Sequence, residues 1–469
     1  MKTFWWRKPV DRSVTLLGTV ALVAVVGQLA LPAQAPARTM VVVPIESLAL
    51  VCPALPANMS GYAVHVHGAL TDTGTPAVLD LQTPKGTRST VRAPGVTTVG
   101  VTRSGSALFS AQGASATELV AGAEVLGTTS PTRGYATYPC QPPTVSQWLI
   151  GGATTPGRTS VLYIANVDAT QATVDLDVWS DLGKSSARSL SGITIPPRSV
   201  EPVSLALVEP ARAMYVVHVT ATSGQVTSAM LETGQKALAS LGVDVVPSVQ
   251  APMTQSVLGV LPAGTKWAHL GLLSPGTATA VHVSLVTSDG TYPLAGAENL
   301  ALEADKVTLV SIPDDALVGD AVVRVEADAP IVAGIGAQLI EHGAADLASM
   351  PMMSTINRVA SITVDAGVSE AMALLHSSSA CSVTLRVTSG GATSTKTVSL
   401  APYTITRVKL FGGSGTSRIV TVAPSSDGVM SGSVLLRRSS AGGVGTTVEP
   451  LVSIRGYVAV PPIAPDIAR

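Results

Sequence analysis

At 469 residues the chain is longer than a single core keeps growing, so several domains are expected. Only 13% of residues are charged and 3% aromatic, while 43 Gly and 32 Pro with abundant Val, Thr and Ser favour many short strands joined by turns. The formal net charge is −1 and no basic stripe runs along the sequence to neutralise phosphates, which excludes a nucleic-acid partner.

The N-terminus carries Lys2, Arg7, Lys8 and Arg12 against Asp11, then runs uncharged from Val14 to Leu31 as "VTLLGTVALVAVVGQLAL". As a helix this segment would be roughly 27 Å long, enough for a thin or untilted span. The basic flank predicts a cytoplasmic start and an extracytoplasmic body, with Trp5 and Trp6 suited to the interface. Ala33-Gln34-Ala35 offers a cleavage signal, although Pro36 follows it directly, and Ala35-Pro36-Ala37 offers a second. An uncleaved anchor and a removed signal peptide both place the remaining chain outside the cytoplasm, secreted or anchored to the membrane.

Cys52 and Cys140 each adjoin a proline and are read as a bridge closing an 88-residue interval. In an oxidising compartment such a loop contributes on the order of 4 kcal/mol. Cys381 is then left over and reads as a small buried core residue.

Beyond residue 150 the chain repeats itself. "AMYVVHVTATSGQVTSAML", "GDAVVRVEADAPIVAGIG" and "SRIVTVAPSSDGVMSGSV" align Val219, Val325 and Val422, then Val226, Val332 and Val429 seven residues later. In the middle copy, "VRVEADAPIVAG" reads as a strand, a turn of Asp, Ala and Pro, and a second strand. A further column aligns Val178, Val286 and Val387, each ahead of a turn closed by Gly183, Gly290 or Gly391, and a weaker first copy supplies Leu81 and Val120. Successive offsets of 108 and 101 residues give a unit of about 100, present about four times.

One unit holds roughly seven strands of period-two alternation, as in Val174, Leu176 and Val178 against Asp175 and Asp177. The predicted fold is all-β: a membrane helix followed by about four tandem immunoglobulin-like β-sandwich modules. Eight propeller blades of about 50 residues are the alternative. The expected divisions are 1–40 for the basic stub, membrane segment and linker, then modules 41–143, 144–253, 254–355 and 356–469. "CQPPTVSQ", "VDVVPSVQAPMTQ" and "SMPMMSTINR" read as linkers or crossing strands. Arg133-Gly134-Tyr135 and Arg455-Gly456-Tyr457 read as a shared terminal strand.

Few residues suggest chemistry. His65 and His67 lie two apart on a strand and share a face, so they are the metal candidates, with Asp72 as a third ligand. The same alternation makes them the wet side of a strand whose Val64 and Val66 face inward. Asp175 and Asp177 share a face at a spacing that paired glycosidase carboxylates tolerate, yet any solvated strand looks alike. Cys381 with His376 lacks a third orienting group, and "GGSGT" around Ser414 reads as a glycine-rich turn. Trp179, in register with Asp175 and Asp177, is the candidate for stacking on a sugar ring or a partner's apolar patch, the alternative being a tryptophan that lies against a neighbouring strand or module. No catalytic residue, cofactor or firm metal site is assigned.

The membrane-targeted start, Cys52 and Cys140 beside prolines, Trp148 shortly after, the strand "LYIAN" ending at Asn166 and the turn at Gly183 together resemble the secreted actinobacterial family called domain of unknown function 5719. The resemblance implies location and architecture, and no activity. The expected role is a non-catalytic cell-envelope spacer or interaction scaffold, with envelope proteins or cell-wall polysaccharide as partners. A carbohydrate- or peptidoglycan-binding accessory protein is the alternative, and a hydrolase with an inter-module site is third.

Overall fold

Alternation becomes sheet plainly along Ala172–Ser180, where Ala172, Val174, Leu176 and Val178 are buried and Asp175 and Asp177 between them are only half covered. The computed structural model describes residues 41–460 except 54, 56–61, 72–77, 83–87, 93–95, 101–105, 129–132, 250, 342, 354, 426–427, 441–442 and 454–456. The Val14–Leu31 segment, Asp72, Arg455 and Gly456 lie outside the described residues. Among those described, no helix is long and apolar enough to cross a membrane. Val41–Pro44 pairs antiparallel with Tyr457–Val460 as a two-stranded unit, and residues 45–456 form a second unit.

Within the second unit one eight-strand pattern is written four times. Between residues 146 and 247 the strands are Ser146–Gly151, Arg158–Asn166, Ala172–Ser180, Gly183–Lys184, Ser199–Ser204, Tyr215–Ser223, Thr227–Lys236 and Ala239–Pro247. Numbered by position, they make two sheets in the orders 1-6-3-4 and 5-2-7-8, with Ile193–Ile195 beside the third strand. The same orders recur in the first set (47–139) and in the fourth (360–450). In each set the two sheets share one apolar core, for example Leu149, Val174 and Val217 against Leu162, Ile164 and Met230. The fold is thus all-β and sandwich-like, with neither a closed barrel nor a propeller. The first strand pairs with the sixth and never with the second, whereas the immunoglobulin constant order sets A beside B.

The repeated valines occupy equivalent places. Val219, Val325 and Val422 lie on sixth strands, Val178, Val286 and Val387 on third strands, and Gly183 and Gly290 open the fourth while Gly391 directly precedes it, at φ of +105°, +133° and +86°. The third set (253–353) departs from the expected reading at Asp328-Ala329-Pro330. No turn forms there; Val322–Glu341 is one strand of 20 residues that serves as both sixth and seventh. Its first half pairs with Thr279–Thr287 in one sheet and its second half with Lys266–Leu273 in the other. Pro330 falls between those two ladders, where its missing N–H leaves neither short of a donor.

The eighth strands were not among the seven drawn for one unit, although Arg133-Gly134-Tyr135 reads as a terminal strand and Val243–Pro247 and Ser349–Met353 as linkers or crossing strands. They are Gly134–Pro139, Ala239–Pro247, Ala344–Met353 and Gly443–Pro450, and each packs on the next, the fourth on the first. Where they meet, the buried Asp346 carboxyl accepts four backbone N–H groups. Tyr135 N donates to Oδ2 at 2.8 Å and Thr446 N at 3.3 Å, while Val243 N and Leu347 N donate to Oδ1 at 3.0 and 3.1 Å. Each donor lies four residues before its strand's proline (Pro139, Pro247, Pro351, Pro450), so one position from every sandwich converges on one side chain.

The residue before each donor is Gly134, Gly242, Asp346 or Gly445. A Cβ on Gly134 would lie 2.6 Å from Val243 N, one on Gly242 would collide with Leu347 N and Asp346 Oδ1, and one on Gly445 would collide with Tyr135. Gly242 also sits at φ +116°, open to glycine alone without strain. Three positions are stripped of a side chain so that the fourth can place its carboxyl among all four strands.

The same geometry sets the seams. Tyr163, Leu231, Val243 and Val245 of the second sandwich join the first core, and Leu374, Ile405, Leu435 and Val448 of the fourth join the third. Trp148, Ile150, Trp179 and Met214 of the second also join the third. The first sandwich meets the fourth through Tyr135, which enters the fourth core, and through a charged cluster described below.

Replacing Asp346 by Ala strands four buried donors, each costing about 1–3 kcal/mol when unpaired. Urea denaturation of Asp346→Ala is expected to show a loss of at least about 3 kcal/mol. Gly242→Ala should be similarly damaging, whereas Gly113→Ala, also at positive φ but with open space around it, should cost less. A near-neutral Asp346→Ala contradicts the arrangement.

Candidate functional site

His65 and His67 lie on Tyr62–Leu70, the second strand of the first sandwich, on the face turned away from buried Val64 and Val66. On that face the fourth sandwich buries His67, while His65 keeps 31% of its side chain exposed. His65 Nδ1 is 2.8 Å from Glu124 Oε1, and Glu124, on the paired Leu119–Gly127 strand, is fully buried. Arg438 Nη1 reaches both oxygens of Glu124 at 2.7 and 2.8 Å and donates to Asp365 Oδ1 at 2.8 Å. His67 Nδ1 lies 2.5 Å from Thr363 Oγ1, and its buried Nε2 has no hydrogen-bond partner among the described residues.

One ligand atom each from His65, Glu124 and Asp365 fall within 4.8 Å of one another, the spacing of a cation site. Arg438 already supplies that cation, neutralising one carboxylate and bridging to the other. The two histidines therefore gather Glu124, Thr363 and Asp365, and Asp72, the ligand expected beside them, is outside the described residues. Sequence reading missed these partners because they are distant in the chain: Arg438 and Glu124 are 314 residues apart.

The electrostatics follow from position. The bond to Glu124 raises the His65 pKa, whereas burial lowers that of His67. Against its own burial, the Gly367 N–H and the Arg438 guanidinium hold Asp365 below the usual carboxylate range. Near the centre, burial pushes Asp244 up to about 7 and Glu449 up to about 8, with Ser349 and Thr137 pulling each back. Burial also drives Asp346 well above the ordinary range, against the pull of its backbone donors.

Beyond Asp346 the four eighth strands run to their prolines, and Pro139, Pro247, Pro351 and Pro450 all line a single cavity of about 490 Å³. Its wall continues into the residues after each proline and into Leu48, Leu50 and Leu119 of the first sandwich. No Asp, Glu, Lys, Arg or His is among its described lining residues.

Other candidates have structural employment. Trp179 does share a face with Asp175 and Asp177, but the third sandwich covers it to 3% exposure. Its Nε1–H donates to Asp305 at 3.0 Å and its ring stacks on Trp148 with centroids 5.5 Å apart. An outward-facing strand residue is exposed only if no neighbouring sandwich lies on it, and Trp179 lies against a neighbouring module, as cement between the second and third. Asp175 accepts the Gly192 N–H at 2.7 Å, and Asp177 pairs with Lys184 at 2.9 Å across the hairpin. Cys381 is buried in the fourth core, His376 bonds the Thr404 carbonyl at 3.1 Å, and Ser414 lies exposed between Gly413 and Gly415, both at positive φ.

Cys52 and Cys140 are joined in a disulfide, Cα atoms 4.5 Å apart, tying the end of the first strand to the residue after the eighth. Arg133-Gly134-Tyr135 opens the first sandwich's eighth strand, but Tyr457 begins the separate ribbon with Val41–Pro44. The fourth sandwich's counterpart of Gly134 is Gly445.

These observations define an all-β protein of four two-sheet sandwiches gathered on a shared buried carboxyl. Residues 96–410 match the family of unknown function DUF5719, and the chain belongs to it. No curated protein matches the chain.

The raised carboxyls fix a pH dependence. A carboxyl whose folded pKa exceeds its unfolded value binds more protons in the fold, so stability falls as pH rises from about 4 through the folded value. At about 1.4 kcal/mol per pH unit this is on the order of 4 kcal/mol each for Asp244 and Glu449. Urea midpoints are expected to decline as pH rises from about 4 to about 8, and a double variant Asp244→Asn, Glu449→Gln should flatten that decline. An unchanged slope contradicts the assignment.

At the first-to-fourth seam the sign is opposite for His67 and Asp365, whose lowered pKa values cost stability as pH falls below about 6.5 and through the acid range respectively. Removing the guanidinium leaves the buried Glu124 with His65 but without its arginine partner, so Arg438→Met should cost about 3 kcal/mol at neutral pH in the same assay. A loss below about 1 kcal/mol would mean that the seam is not held by this pair.

Proposed function

We propose that the protein is a non-catalytic extracytoplasmic scaffold of the cell envelope, anchored or exported through Val14–Leu31. The observation that carries this reading is the Asp346 centre: four sandwiches sharing one buried acceptor form a rigid body whose outer faces keep fixed relative positions. Such a body suits an interaction scaffold better than an extensible spacer, which needs modules that part from one another. The Cys52–Cys140 disulfide fits an oxidising compartment and a secreted protein. The polysaccharide-binding reading rested on an exposed Trp179, and that indole is occupied between two sandwiches.

A fusion of alkaline phosphatase to the C-terminus of the full chain reports the compartment, since that enzyme matures only where disulfides form. Chemical cross-linking in intact cells should then recover defined envelope partners with the wild type and lose them with Asp346→Ala. An inactive fusion, or partners held equally by both chains, contradicts the proposal.

A further inference from the structure

We propose that the cavity bounded by Pro139, Pro247, Pro351 and Pro450 is a binding site for the aliphatic chain of a small, uncharged amphiphile. The inference goes beyond the scaffold reading and does not depend on it. At about 490 Å³ the cavity is within the range of small-ligand sites, and residues from all four sandwiches close on it.

The ligand class follows from what the wall offers and withholds. Leu48, Leu50, Leu119 and Leu451 present aliphatic surface, and Met352 and Met353 supply thioether side chains that adapt to irregular shapes. The four prolines contribute no N–H to the wall. A charged group entering here would shed its hydration with no counter-charge to meet it.

Most polar side chains of the wall are spent on the protein itself. Gln141 Nε2 donates to the Ser248 carbonyl at 2.8 Å, and Ser248 Oγ donates back to Gln141 Oε1. Gln147 holds the Val226 carbonyl while accepting from Ser228 N at 2.8 Å and Ser228 Oγ at 2.6 Å. Ser361 Oγ donates to Thr421 at 3.0 Å, and Ser146 Oγ lies 2.8 Å from His218 Nε2. A guest rich in hydrogen-bonding groups would find these partners engaged, whereas an alkyl chain displaces only water.

The test uses the full-length chain in a fluorinated surfactant, with the neutral dye N-phenyl-1-naphthylamine as probe. Saturable fluorescence enhancement is expected, reversed by 1-monododecanoyl glycerol at a concentration at least about tenfold lower than by dodecanoate or dodecyltrimethylammonium. Tryptophan at the exposed rim positions, Ala251→Trp and Thr355→Trp, should weaken dye binding by about tenfold with the thermal midpoint unchanged. Absence of saturable binding, equal displacement by charged amphiphiles, or wild-type affinity in both variants overturns the proposal. Should the variants fail to fold, a neutral alkyl diazirine decides on the wild type: adducts on lining residues such as Met352 or Val452 support the site, and adducts confined elsewhere overturn it.

Discussion

The Asp346 carboxyl and the four N–H groups it accepts are the constraint from which the remaining architecture follows. Edge strands with unpaired N–H groups are costly to bury, and here four are buried against one another. One side chain satisfies an equivalent N–H on each, and three glycines yield the room for it. Because the donors come from residues between 135 and 446, no sandwich can leave without orphaning a donor or the acceptor. Repetition therefore serves closure here: each copy repeats the strand that meets the centre, and only the third carries the group that joins them.

This centre creates an electrostatic tension across the molecule. Asp346, Asp244 and Glu449 are drawn into the interior where burial favours their protonated forms, while Glu124 and Asp365 at the first-to-fourth seam are balanced by Arg438. The seams between the other sandwiches are mainly apolar, Tyr163, Leu231, Leu374 and Leu435 extending a neighbour's core, with Arg407–Asp320 and Arg437–Glu341 pairing between the third and fourth. Through His67 and Asp365 the contact that joins the first and last sandwiches weakens in acid, whereas the centre weakens as pH rises.

Much of this was legible in sequence. The valine columns found the sixth and third strands, and the glycines after them found the hairpins, because buried alternation and positive φ leave residue-type signatures. The eighth strands were legible only in part: Gly134-Tyr135 reads as a terminal strand, whereas Gly242 followed five residues later by proline resembles the punctuation of a linker as much as a crossing strand. Aligning those glycines would have exposed Asp346 as the odd member of the column. Asp328-Ala329-Pro330 misled for a related reason: a turn-like tripeptide is also tolerated where a long strand passes from one sheet to the other. Side-chain roles set by other sandwiches, such as Trp179 on Asp305 or Arg438 on Glu124, carry no local signal at all.

The central claim is that one buried carboxyl binds four sandwiches into a single cooperative body. Amide hydrogen exchange under native conditions tests it most directly, since the N–H groups of Tyr135, Val243, Leu347 and Thr446 each report the opening of a different strand. The account predicts that all four exchange only with global unfolding, at one common free energy. Exchange of any one of them at the rate of an exposed loop, while the other three stay protected, would contradict it.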